Sequence, residues 1–404
     1  MIYGVKIAGI GRALPGTDVA GRVVTNEMLS RELLDLREEL VTKGQLSSPD
    51  QWAGLPEEEQ RVQAARWQQF ETGDEWIVEH TGIRERREAA PKIATSDLAI
   101  AAGKKALEHA GWDPSDVGIV LVATVSPDHL YTSPTAALVH HGLGIPMSDD
   151  QGLLGTDGMD ISCACSSFGK AFKVAYALIV CGMVERVLIT AADVMSRTYN
   201  RYSRALRPIL GDAGAAVALE RVDAGEDDFF GPASFFGGLD GSRADLIVTP
   251  VGGTREPLDD PEVVSDPFNQ GHRMVMQGPQ VKRGAVRLLV PRNVEDRSSW
   301  PFTVISQALD RAGVGLPSVE MMFLHQANMR IIDPLTVQLE DMGFKGVVFN
   351  NIERVGNTTS ASIPLLWCDA LEEGSLRPGM TIHNCVFGGG LSWEAFTLRW
   401  SLSK

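Results

Sequence analysis

"ALEHAGWDPSDVGIVLVAT" (106–124) returns as "ALDRAGVGLPSVEMMFLHQ" (308–326), each with Ala-Leu-acid, then Ala-Gly, then a Val ahead of an apolar run, at one fixed offset. In both copies a helix-period pattern closes on glycine and hands over to a strand-like run, the repeating unit of an α/β chain. The likeness extends outward. "CSSFGKAFKVAYALIVCG" (165–182) lines up with "NTTSASIPLLWCDALEEG" (357–374), and the Gly-rich "ILGDAGAAVALE" (209–220) with "VFGGGLSWEAFTLRW" (386–400), in the same order. The chain therefore reads as two similar α/β halves, 1–225 and 226–404, meeting near the acidic "RVDAGEDDF" (221–229). Thr95 or Ser96 is expected to cap the helix over 95–110, and Gly111 to stop it. Two segments interrupt the pattern. Residues 34–70, highly charged and partly of helical spacing, read as an inserted helical excursion, and 254–273 as a polar, proline-bearing loop of the kind that flanks sites.

Composition narrows the function. At 404 residues the chain can bury a large core, and 37 Lys and Arg against 52 Asp and Glu give a formal charge of −15. With no long basic block it lacks the footprint of a general nucleic-acid binder. Five scattered cysteines, an odd number in so large a chain, point to a reducing, cytoplasmic setting. The opening "MIYGVKIAGIGRALPG" reads as a strand and a turn rather than a leader, and no apolar run approaches the ~20 residues that span a bilayer.

Chemistry concentrates in four places. In "MDISCACSSFGKAF" (159–172) a strand-like run gives way to small residues and then to Phe168, Phe172, Ala175 and Ile179 at helical spacing. Cys165 then stands near a helix start, where unpaired amides and the dipole are expected to lower its pKa. Cys163 sits less favourably in the turn, and two buried cysteines acting as small hydrophobes remain the competing reading. "MMFLHQANMRIID" delivers His325 at the end of an apolar strand, where α/β sheets concentrate ligand sites. Asn357 follows a glycine in "RVGNTTSASIPLLW", a position that also suits a turn or cap. Gly388, Gly389 and Gly390 lie between two strands, where backbone amides can approach a developing oxyanion or simply make a hairpin turn.

Taken in order, "GDEWIVEHTGIRERR", "DISCACSSF", "ADVMSRT", "GDAGAAVALE", "FLHQANMRII", "GNTTSASIPLL" and "FGGGLSW" resemble the β-ketoacyl-acyl-carrier-protein synthase III family of the thiolase-like superfamily, over nearly the whole chain. The resemblance implies a duplicated α-β-α-β-α layered fold, a homodimer and a Cys-His-Asn triad, which falls on Cys165, His325 and Asn357. It implies an oxyanion hole from the amides of Cys165 and Gly389. It also places Trp76 and Arg197 at the adenine and phosphate end of coenzyme A, Asn328 at its pantetheine arm, and Phe387 in the substrate-binding set. Acyl-CoA and a malonyl-type thioester are then the substrates, an acyl carrier protein is a partner, and no metal or redox cofactor is needed.

The chain departs from that family at several points. His80 replaces an arginine that stacks opposite Trp76, which weakens both stacking and fixed charge. The helix after "HQANMRII" is acidic where members carry carrier-docking lysines, leaving Arg283, Arg330 and the run Arg197, Arg201, Arg204, Arg207 to form a positive rim. The 34–70 insertion is expected to roof the acyl entrance or enlarge the dimer. These departures favour a secondary-metabolism relative over the housekeeping fatty-acid initiator. Decarboxylative condensation competes with acyl transfer from Cys165 to an alcohol or amine and, more distantly, with a non-catalytic partner subunit; two enolate donors favour condensation.

Overall fold

Two five-stranded sheets of the same topology organise the chain, seen in a computed structural model that describes residues 3–149, 152–153, 155–229, 231, 234–268, 271–289 and 303–404. The first contains β1 (Gly4–Ala13), β2 (Ile119–Ala123), β3 (Asp157–Ile161), β4 (Arg186–Asp193) and β5 (Ala213–Val222) in the order β1-β5-β4-β2-β3. The second contains β6 (Phe235–Arg243), β7 (Met321–Leu324), β8 (Val347–Phe349), β9 (Thr381–Gly388) and β10 (Gly390–Arg399) in the order β6-β10-β9-β7-β8. Parallel and antiparallel pairings match strand for strand: β4–β2–β3 and β9–β7–β8 run parallel, while β5 and β10 run against both neighbours.

Helices fill the layers as the apolar spacing dictates. On α2 (Ser167–Val180), Phe168, Phe172, Ala175 and Ile179 fall on one face. On α4 (Ser362–Glu372) all but the last residue are buried, so that helix is enclosed on every side. Both lie between the sheets in one core with Ile7, Leu121, Ile189, Phe323, Phe396 and Leu398. Phe172 meets Trp367 edge to face at 5.5 Å and stacks on Phe396 at 4.9 Å. Outside, α1 (Thr95–Ala110) covers the first sheet with Leu98, Ala99, Ala102 and Ala106, and α3 (Val304–Ala312) covers the second with Ile305, Ala308 and Leu309. The result is an α-β-α-β-α stack. Gly11 is what lets α1 sit so close to β1, since a Cβ there would come 2.4 Å from the Ala102 carbonyl oxygen.

The cap of α1 differs from expectation. The N-cap is Ala94, whose amide donates to Asp97 at 2.8 Å, while Gly111 ends the helix in the left-handed region as the sequence suggests. Thr95 and Ser96 instead donate to the Ser126 carbonyl and the Asp128 carboxylate, tying the helix start to the loop beyond β2. The 34–70 excursion takes in the later part of the helix Asn26–Thr42, a short 3-10 turn at Pro49–Gly54 and the helix Glu57–Gln68, and its Leu40, Leu46 and Phe70 pack with Leu29, Leu33 and Tyr202 in a small core. Phe268 of the polar loop packs on Tyr202 and under Arg66, so the two interruptions meet each other. No helix among the described residues is long and apolar enough to cross a membrane.

Trp367 is wholly buried at the centre of the stack. Trp367→Ala is expected to lower unfolding stability by about 3–5 kcal/mol in a denaturant titration. A loss below about 1 kcal/mol would mean that the central layer collapses around the cavity.

Candidate active site

The nucleophile turn is built by small and hydroxylated residues. After β3 the chain turns through Ala164, which holds a left-handed φ of +50°, a strained value that only a small neighbourhood tolerates. The Ser167 hydroxyl donates to the Ala164 carbonyl and accepts from the Cys163 amide at 2.8 Å. The Ser166 and Ser392 hydroxyls both donate to the Cys163 carbonyl, joining the turn to β10. Cys165 is thereby held two residues ahead of α2, partly exposed. The glycine hairpin between β9 and β10 lies directly against it, for a Cβ on Gly388 would come 2.6 Å from the Cys165 amide nitrogen.

Electrostatics at the thiol contradict the sequence expectation. Although Cys165 is partly open to the cavity, the protein packed around its sulfur desolvates it and pushes it up to about 12, and the nearby Asp193 charge pushes the same way. That rise amounts to about 4 kcal/mol, whereas a helix end contributes about 0.3–2 kcal/mol. Burial wins, and the resting sulfur is a thiol. His325, at the end of β7, is buried as well, which pushes it down to about 3 and keeps the imidazole neutral. Its amide donates to the Cys385 carbonyl at 2.9 Å and its ring meets Phe387 edge to face at 5.3 Å. Its Nδ1 finds no hydrogen-bond partner among the described residues.

Asn357 belongs to the second half but is gripped by the first. Its amide donates to the Ile209 carbonyl at 2.8 Å, and its own carbonyl accepts from Gly211 at 3.0 Å. Gly356 makes the approach possible, with φ +69° and a Cβ position 2.8 Å from the Ile209 carbonyl oxygen. The Asn357 Oδ1 accepts from the Thr359 amide at 2.9 Å, which leaves its NH2 as the outward donor.

These groups open on one cavity of about 820 Å³. Cys165, His325, Asn357, Phe387 and Gly389 line it, as the sequence anticipated, together with Trp76 and Asn328. Its walls are mainly apolar, including Ile247, Met274, Met276 and Ile331, with Thr81, Thr249 and Thr359 among them, and its exposed side carries Arg204, Lys282 and Arg330. Lys282, the apolar walls and the supporting Asp193 and Thr359 escaped the sequence reading. Such walls come from separate loops with no common motif, and Asp193 is marked only by its place at the end of β4.

At the entrance the side chains are arranged differently from the family pattern. Arg197 does not line the cavity; its guanidinium donates to the Ala90 carbonyl, and Arg204 is the arginine at the entrance instead. Trp76 does line it, with its ring stacked on His80 at 4.3 Å and the Arg204 guanidinium 4.1 Å from its centroid. Asn328 caps the helix Met329–Asp341 and donates to the His80 carbonyl at 3.1 Å, fixing that stack from below. No residue of 34–70 lines the cavity. The excursion braces the entrance from behind, through Phe70 on Tyr202 and Gln69 on the Arg204 amide.

A thiol near pKa 12 is expected to alkylate with iodoacetamide about tenfold faster per pH unit from 7 to 10, without levelling. The rise follows the growing thiolate fraction. A plateau below pH 8, read by intact mass, would contradict the buried-thiol assignment.

The chain and its fold have known relatives. The family model described as 3-oxoacyl-acyl-carrier-protein synthase III matches residues 159–234, and its C-terminal counterpart matches 309–400. The chain is 35% identical over 330 residues to the β-ketoacyl-acyl-carrier-protein synthase III of Symbiobacterium thermophilum, covering 82% of this chain and 91% of that one. It is 33% identical over 331 residues, with the same coverage, to the enzyme of that name from Caldanaerobacter subterraneus. Among solved structures, the 3-oxoacyl-(acyl carrier protein) synthase III of Pseudomonas aeruginosa PAO1 superposes with a TM-score of 0.73 at 27% identity, over 99% of each chain. The priming β-ketosynthase of the R1128 polyketide pathway does so with a TM-score of 0.73 at 25% identity, over 100% of this chain and 98% of that one. Sequence identity at this level over four-fifths of the chain, carried on the same duplicated sheets, means that it belongs to the 3-oxoacyl-acyl-carrier-protein synthase III family of condensing acyltransferases.

Proposed function

We propose that Cys165 takes an acyl group from a thioester and that His325 and Asn357 then drive its condensation with a malonyl-type thioester. The observation that carries this reading is the meeting of a thiol, a neutral imidazole, an oriented amide NH2 and a glycine hairpin on one apolar cavity with cations at its entrance. In the first half-reaction the sulfur attacks the acyl carbonyl, the amides of Cys165 and Gly389 stabilise the oxyanion, and the departing thiol leaves with the proton that Cys165 gives up. In the second, carbon dioxide departs from the malonyl group while His325 and Asn357 donate to the thioester oxygen of the enolate. That carbanion attacks the acyl-cysteine; the carbon–carbon bond forms, the carbon–sulfur bond breaks, and the released Cys165 thiolate takes a proton from water. Each step uses the chain's own groups, so neither a metal nor a redox cofactor enters the proposal.

A neutral imidazole suits this role, because it keeps an N–H to donate without placing a cation in an apolar wall. Asn357 is the reason to prefer condensation over transfer to an alcohol or amine, which requires a base but not a second enolate donor. The entrance supports a donor held mainly by its phosphate. Arg204, Lys282 and Arg330 suit the phosphate of a pantetheine arm, while His80 stacked on Trp76 competes with a purine for that ring. A thioester on an acyl carrier protein would therefore serve as well as one on coenzyme A.

A homodimer is part of the proposal. β3 is an edge strand with exposed Met159, and exposed Met147 and Leu153 precede it, an apolar edge that a second copy would cover. Light scattering is expected to report the mass of two chains, and a monomer at micromolar concentration would refute the dimer. A reducing cytoplasm suits a chain with five unpaired cysteines, one of them the nucleophile.

The decisive test offers acyl-CoA, acyl-phosphopantetheine and acyl-carrier-protein thioesters and reads intact mass, followed by malonyl thioester and carbon dioxide release. The adduct should vanish in Cys165→Ala. Asn357→Ala should keep the adduct but lose about 100-fold in carbon dioxide release. Nucleotide-free donors should acylate within about tenfold of acyl-CoA, since purine stacking adds little here. An adduct that forms in the unaltered chain without any malonyl-dependent carbon dioxide would favour simple acyl transfer.

A further inference from the structure

Asp193, the last residue of β4, is completely buried and accepts six hydrogen bonds. Its Oδ1 accepts from the Thr124 hydroxyl (2.9 Å), the Val125 amide (2.8 Å), and the Ser126 amide (3.1 Å) and hydroxyl (2.9 Å). Its Oδ2 reaches into the other half of the chain, accepting from the Thr359 hydroxyl at 2.6 Å and the Ser360 amide at 2.9 Å. As a nearby negative charge it works against Cys165, because it makes the thiolate harder to form. A buried carboxylate that opposes the nucleophile needs another reason to be there.

That reason lies in Thr359. This β-branched residue holds a left-handed φ of +47°, a costly conformation that persists only where the surroundings impose it. From it the Thr359 amide donates to the Asn357 Oδ1 and turns the Asn357 NH2 outward. The two bonds to Asp193 bracket the strained residue, one on its side chain and one on the next amide.

Resting on the condensing function above, we propose that Asp193 is a positioning residue for the decarboxylation half-reaction: it holds Thr359 in its strained conformation and so orients the Asn357 amide that stabilises the enolate. Acylation of Cys165 depends on the glycine hairpin and the thiol, and does not require this orientation.

The test measures the two half-reactions separately in the full chain. Asp193→Asn should lower malonyl-dependent carbon dioxide release by about 10- to 100-fold, while acyl-cysteine formation is not slowed, since losing this charge makes the Cys165 thiolate easier to form. In an Asn357→Ala background the same substitution should cost less than about threefold, because the group it positions is already gone. Thr359→Val, which removes one hydroxyl and leaves the Oδ1 bonds intact, should reproduce the pattern in weaker form even where Asp193→Asn folds poorly. Equal losses in both half-reactions, or full additivity with Asn357→Ala, would reduce Asp193 to a structural residue and overturn the inference. A wild-type chain that accepts no acyl group would overturn the condensing function and this inference together.

Discussion

The central helical layer is the constraint from which the site follows. α2 and α4 come from different halves, yet they share one core, with Phe172 packed between Trp367 and Phe396. Each sheet has an apolar face that can be removed from water only by that shared layer, so neither half buries its inner surface alone. Because the layer fixes the two sheets against each other, the carboxyl ends of β4 and β7 and the turns leading into α2 and α4 converge at one end. Cys165 arrives from one half, and His325 and Asn357 from the other. A change in the packing of Trp367 or Phe172 would thus be felt as a change in distance between nucleophile and enolate donors.

Polar groups at the junction are satisfied by partners across it. Asp193 bonds to Thr359 and Ser360, the backbone of Asn357 bonds to Ile209 and Gly211, and the Ser392 hydroxyl donates to the Cys163 carbonyl. In so dry a setting an unpartnered acceptor would cost several times what a made hydrogen bond contributes, so each contact also specifies the alignment of the halves. The same dryness sets the resting state of the site. Cys165 stays protonated and His325 stays neutral because burial disfavours both charged forms, and reactivity has to appear together with the thioester that the cavity admits.

The charged excursion acquires a different meaning in three dimensions. It does not roof the acyl entrance, since Leu33, Leu40, Phe70 and their neighbours form a small core behind the segment that carries Tyr202 and Arg204. It therefore shapes the entrance without lining it. Trp76 is partly buried against that same cluster, which helps to hold its ring on His80 rather than free for a ligand.

What the sequence determined by itself is the periodic and the contiguous. The repeat at 106–124 and 308–326, the apolar spacing of α2, and the glycines between β9 and β10 are local patterns from which the α/β class could be read, while Cys165, His325, Asn357 and Gly389 were singled out as a set by the family resemblance of the ordered motifs. What only the tertiary structure decided is whatever depends on residues distant in the chain sharing one space. Arg197 turns to the Ala90 carbonyl while Arg204 reaches the entrance, because the local arginine run does not encode which side chain faces which wall. The thiol pKa rises rather than falls because desolvation is a property of the assembled surroundings, while a helix end can be seen in a dozen residues. Asp193 was legible only as one acid in "ADVMSRT"; its hold on Thr359 spans 166 positions and exists only once the two halves have closed on their common helices.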